Sequence, residues 1–194
     1  MFIELVVVRV SSRYLIDRED LVLIIVDVQE KLIPLVKNRE EVVKNIQKLV
    51  KFSKIVGIPL LVTEQYPKGL GPTVREVKSL IPNFNPIEKT SFSCFDSSEF
   101  REKLKELERK TLAITGVETH ICIAQTALEA LKHGYTPYVI SDAVSARSRL
   151  NHVVGIERMH SCGAIISSTE MFMYEVLRDA GTLEFKKCLP FLKE

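Results

Sequence analysis

The 194-residue sequence predicts an α/β domain: three layers, α/β/α, built on a doubly wound, mostly parallel, Rossmann-like sheet. Three observations predict it. Continuous apolar runs rich in β-branched residues recur along the chain, the mark of strands buried on both faces. Stretches with helical apolar spacing separate them, so strand and helix alternate from one end to the other. No linker, repeat or low-complexity tract interrupts the series, and the length suits one domain with a large core. Right-handed crossovers then place helices on both faces of the sheet.

The elements follow in order. LVLIIV (21–26) is the first buried strand. Asn38 to Glu41 has capping-box spacing ahead of a helix whose apolar stripe is Val42, Ile46, Leu49 and Val50. Gly57 closes that helix, and IPLLV (58–62) is the next strand. YPKGLGP (66–72) reads as a loop followed by a short helical stretch, and NPIEK (85–89) as a short strand. Asp96 to Glu99 caps a helix carrying Phe100, Leu104 and Leu107 on one face. TLAIT (111–115) and TPYVI (136–140) are strands, with a helix between them that Gly134 ends. A helix near 149–162, a strand AII (164–166) and a helix near 169–180 complete the series. The domain is therefore expected over 20–182, between an N-terminal arm (1–19) and a C-terminal tail (183–194) that packs on a neighbour. The arm is apolar but carries Glu4 and Arg9 and lacks a basic start with a cleavage site, so it reads as a strand or arm rather than a signal peptide. The expected compartment is the cytoplasm.

Composition narrows the function classes. A formal net charge of +2, with basic and acidic residues interspersed, offers no phosphate track for nucleic acid. No apolar run reaches membrane-spanning length, so no membrane partner is expected. Cys94, Cys122, Cys162 and Cys188 form no CxxC pair and are expected to be reduced thiols, which argues against a zinc ribbon or a thioredoxin motif. The four histidines show no ligand spacing, so neither a metal nor a cofactor is expected.

In open parallel sheets ligands bind at the carboxyl ends of the strands. Asp27, Glu64, Lys89 and Cys122 all fall at or just past such ends. Singly, an Asp there is usually a turn former, a Lys a solvated charge and a Cys a small core residue. An acid, a base and a thiol on one edge point instead to covalent catalysis with Cys122 as nucleophile. Thr119 is placed to cap the helix that continues through Ile121, Ala124, Leu128 and Leu131, which puts Cys122 in the first turn. There the helix dipole and unpaired N–H groups favour a thiolate and are able to hold an oxyanion. His120 invites a Cys–His dyad, but positions two apart on a helix face different ways. Cys94, Cys162 and Cys188 are read as structural.

VDVQEKL (26–32), EQYPKGLGPT (64–73), EKTSFSC (88–94), ITGVETHICIAQTALEALKHGY (114–135) and ISDAVSAR (140–147) together resemble the isochorismatase-like cysteine hydrolases over roughly residues 20–180. The resemblance implies a catalytic triad at Asp27, Lys89 and Cys122, a six-stranded parallel sheet, and a cis peptide before the nucleophile, here Val117–Glu118. It further implies an oxyanion hole from the backbone N–H groups of Glu118 and Cys122, and a symmetric homo-oligomer. The nicotinamidases of the family carry an Asp and His metal motif where this chain reads TEQYPKGLGP without histidine, so metal binding and that activity are not expected. True isochorismatases lack the nucleophilic cysteine present here, so the family name does not give the reaction. The block EQYPKGLGPT looks like the isochorismatase-domain hydrolases.

The expected reaction is hydrolysis of a small amide-like molecule through a thioester. Asp27 takes the thiol proton and Lys89 supports the thiolate. Gln29, Tyr66 and Phe92 are candidates for contacting the small-molecule substrate. Two alternatives keep the fold: a thiol-based redox sensor using Cys122, and a catalytically silent oligomeric member.

Overall fold

The computed structural model describes residues 15–192. Most of the expected N-terminal arm therefore lies outside the described residues. The six strands are β1 (Leu21–Val26), β2 (Leu60–Gln65), β3 (Ile87–Lys89), β4 (Thr111–Val117), β5 (Thr136–Ser145) and β6 (Ile165–Ser167). They form one sheet in the order β3-β2-β1-β4-β5-β6, and every pairing is parallel. All strand C-termini therefore share one edge, and the winding direction changes between β1 and β4. That is the crevice where such sheets bind ligands.

The period of two along β1 divides the core. Leu21, Leu23 and Ile25 join one apolar cluster with Ile46, Leu49, Phe52 and Phe172. Val22, Ile24 and Val26 join the other, with Phe100, Leu104, Ala127 and Met159. Two short helices, α2 (Pro67–Leu70) and α3 (Arg75–Lys78), follow β2, and the first cluster is covered by α1 (Arg39–Val56) and α7 (Thr169–Leu177). The second is covered by α4 (Ser98–Glu106), α5 (Ala124–Lys132) and α6 (Arg149–Ser161). Residues 183–192, within the expected tail, form a further helix whose Cys188 and Phe191 are buried in the first cluster.

Three helix starts differ from the sequence reading. Asn38 precedes α1 with φ of 50° and makes no side-chain cap, so the capping box does not form. Ser97, not Asp96, caps α4, its hydroxyl accepting from the Phe100 N–H at 3.3 Å. Thr119 lies inside a π-helical turn, Thr119–Ile123, rather than before a helix. Its hydroxyl is 2.9 Å from His152 Nδ1 on α6, so tertiary packing claims the group that would have capped.

Gly116 explains how close β4 comes to β1. It pairs with Val26 at φ of 114°, and a Cβ there would stand 2.0 Å from the Val26 carbonyl oxygen. Only glycine permits that approach, which sets the start of the Cys122 turn beside the end of β1.

Candidate active site

Four neighbouring strands each deliver one part of the site. Asp27 leaves β1 in a left-handed conformation, φ 54°, with no exposed surface. Its N–H donates to the Thr63 carbonyl at 3.2 Å. Lys89 closes β3 and donates from Nζ to Asp27 Oδ2 at 2.7 Å. The Thr63 hydroxyl, from β2, donates to Oδ1 at 2.7 Å. Both carboxylate oxygens thus hold a short bond from a buried donor. Cys122 comes from the turn after β4 and is 6% exposed.

Lys89 keeps its charge in this setting. Burial lowers its pKa, but Asp27, the two nearby thiols of Cys94 and Cys122, and the hydrogen bond to Asp27 together leave it above the ordinary value. Its remaining protons are directed to Gln65 Oε1 at 2.7 Å, the Ser91 carbonyl at 3.2 Å and the Phe92 carbonyl at 3.4 Å. Those acceptors occupy the ammonium fully, so Lys89 acts on charge within the site rather than on a distant ligand.

The Cys122 thiol is pushed far above the ordinary cysteine range. Burial is the largest cause, the Asp27 charge and its hydrogen bond to the thiol add to it, and Lys89 pulls the other way. This differs from the thiolate that helix-end reasoning favours. The thiol rests protonated at neutral pH, and its nearest base is Asp27. Cys94 shares the neighbourhood: it is fully buried, its sulfur lies 3.9 Å from Thr63 Oγ1, and burial followed by Asp27 pushes its thiol up to about 11. A second sulfur beside Asp27 was not anticipated from sequence, where Cys94 read as an ordinary core residue.

The remaining candidates separate. Gln29 is fully buried, and its side chain is spent on backbone: Nε2 donates to the carbonyls of Gln65 and Gly71, and Oε1 accepts from the Gln65 N–H at 2.8 Å. It staples β2 to the loop after it. Tyr66 is 55% exposed and lines a groove of about 490 Å³ with Lys89, Ser91 and Asp96. Phe92 is 54% exposed. The Val117–Glu118 peptide is cis, and the Glu118 carboxylate is paired with Arg147 Nη2 at 2.9 Å. His120 turns toward α6, its Nε2 3.3 Å from Asn151 Nδ2. A cavity of about 730 Å³ beside Lys37, Arg149 and His152 includes none of Asp27, Lys89 and Cys122. The convergence of reactive groups, not cavity size, locates the chemistry. Thr63 and Gln65 were missed from sequence. No local signal marks Thr63; the pairing of Val26 with Thr63 in the folded sheet is what sets it next to Asp27. Among the described residues no group of three or more His, Cys, Asp or Glu is arranged for a metal, and no helix is long and apolar enough to cross a membrane.

Comparison with known proteins follows the same lines. Residues 21–171 match the isochorismatase domain model. The mouse protein isochorismatase domain-containing protein 2A is 33% identical over 176 residues, 91% of this chain and 84% of its own. The solved structure of MAR1 ribonuclease from Caenorhabditis elegans superposes with a TM-score of 0.86 at 30% identity, covering 92% of each chain. The ycaC gene product of Escherichia coli, an octameric hydrolase of unknown specificity, gives 0.85 at 25% identity over 93% of each chain.

Proposed function

The chain belongs to the isochorismatase family, and on that premise we propose that it is a hydrolase of small amide-like molecules with Cys122 as nucleophile. The observation that carries the reading is the buried Lys89–Asp27 pair, 2.7 Å apart, beside a Cys122 thiol that feels the charge of both partners. A protonated thiol beside a carboxylate paired with a lysine is the arrangement that general-base activation requires.

The mechanism has two halves. As Cys122 Sγ attacks the substrate carbonyl, Asp27 takes the thiol proton in the same step, and Lys89 offsets the negative charge of the site throughout. The backbone N–H groups of Glu118 and Cys122 receive the oxyanion. Protonated Asp27 then donates to the leaving amine, leaving a thioester on Cys122. Asp27, ionised again, draws a proton from water, which attacks the thioester, and the acid departs with the thiol restored. Tyr66 and Phe92 are exposed at this edge and are proposed to border the entering substrate.

A homo-oligomer is proposed for the working form, by analogy with the octameric relative. The ribonuclease name belongs to the C. elegans protein, and the net charge of +2 gives this chain no matching electrostatic feature.

The test is a panel of small primary amides and N-carbamoyl compounds assayed for ammonia release, with intact-mass detection of an acyl adduct. The expected result is turnover and a transient adduct on Cys122, both absent in a folded Cys122→Ala. Turnover that persists in Cys122→Ala contradicts the reading.

A further inference from the structure

A buried hydroxyl needs a reason, because an unpaired one costs free energy that valine, of nearly the same shape, would not. Thr63 has no exposed surface. It holds Asp27 at two points: its carbonyl accepts the Asp27 N–H at 3.2 Å, and its hydroxyl donates to Oδ1 at 2.7 Å. Asp27 needs holding, since φ of 54° is a conformation non-glycine residues rarely adopt unaided. The hydroxyl proton has one strong acceptor to point at. The other group beside Oγ1 is Cys94 Sγ at 3.9 Å, placed as a donor. Titratable groups facing Asp27 come from three segments: Lys89 from β3, Cys94 from the turn Cys94–Asp96, and Cys122 from the turn after β4. Glu64, next to Thr63, is turned to Thr73 instead.

We propose that Thr63 is a positioning residue for Asp27: its carbonyl and hydroxyl together fix the left-handed Asp27 and occupy Oδ1, so that the carboxylate is held in place to take the Cys122 proton. This rests on the reading of Cys122 and Asp27 as nucleophile and base, and adds the residue that makes the base dependable. Removing the Thr63 hydroxyl therefore leaves Oδ1 without its buried donor and the carboxylate free to turn from the thiol.

The test measures Cys122 alkylation by iodoacetamide against pH, by peptide mass spectrometry, in the wild type, Thr63→Val, Thr63→Ser, Asp27→Asn and the double variant. With Asp27 as base, the wild-type rate holds level across neutral pH and falls on the acid side. Thr63→Val slows alkylation about tenfold across the level region, the weight of about one lost hydrogen bond. Thr63→Ser restores the profile. In Asp27→Asn the level region is lost, and adding Thr63→Val changes nothing more, as expected for residues acting through one another. A Thr63→Val profile that superimposes on the wild type, or an equal further loss in the Asp27→Asn background, overturns the proposal while leaving the base assignment standing. A level region that survives Asp27→Asn overturns both. Thr63→Ala serves the same comparison if Thr63→Val does not fold.

Discussion

Asp27 and Glu64 are buried carboxylates at the ends of adjacent parallel strands, 0% and 5% exposed, yet their surroundings assign them opposite work. Glu64 Oε1 accepts from the Thr73 N–H at 2.6 Å and the Thr73 hydroxyl at 2.7 Å, which ties β2 to the following loop. Asp27 accepts from a charged amine and a hydroxyl, and its charge pushes up the neighbouring Cys122 thiol. Burial alone thus does not mark a base. What marks it is a reactive group within reach of a carboxylate whose charge is already compensated.

That contrast is open to attack by substitution, and the largest effect belongs to Asp27. Asp27→Asn lowers turnover of an amide substrate by about a hundredfold or more, the usual weight of a general base, measured as initial rates of ammonia release. Glu64→Gln leaves that rate unchanged. Equal losses in the two variants would erase the distinction.

Lys89→Met comes next. It leaves the Asp27 carboxylate buried without its cation, a loss of about 3–5 kcal/mol, read by urea denaturation. It also pushes the Cys122 thiol further up, because Lys89 is the group that pulls it down. Cys122 alkylation at neutral pH then slows. A stable Lys89→Met with unchanged alkylation would show the ion pair to be incidental.

Cys94 tests the neighbourhood through pH. Its thiol rises from an ordinary 9.0 to about 11 in the fold, so the protonated form is favoured there. The resulting stability is fully present below pH 9, is lost as pH rises through 11, and is on the order of 3 kcal/mol. Thermal melts of Cys94→Ala should show a correspondingly flatter decline over that window than the wild type. The smallest effect is that of Glu64→Gln on stability, about 1–2 kcal/mol, or a few degrees in Tm.

How much of this was legible in sequence depended on whether the signal was local. The strands were legible because buried parallel strands are continuous apolar runs, and the stripe of Val42, Ile46, Leu49 and Val50 is indeed buried along α1. Strand ends were less so: β5 runs on through Ser145, past a register irregularity between Ile114 and Gly116 that no local pattern announces. Asp27, Lys89 and Cys122 stood out because Asp27 directly follows a strand, Lys89 ends one and Cys122 lies a few residues beyond one. Thr63 and Gln65 did not, since a Thr and a Gln inside a strand become informative only when the register shows what lies across from them. The state of the Cys122 thiol was misjudged for a related reason. The helix-end argument counts the local backbone, whereas burial and the Asp27 charge come from distant parts of the chain.

The central claim is that Asp27 serves Cys122 as its base, and the most direct measurement is the pH dependence of iodoacetamide alkylation at each cysteine in the wild type and Asp27→Asn. With Asp27 as base, buried Cys122 outpaces exposed Cys162 at neutral pH, with a level profile that Asp27→Asn replaces by a steady rise with pH. A Cys122 that lags behind Cys162, with a profile indifferent to Asp27→Asn, would contradict it.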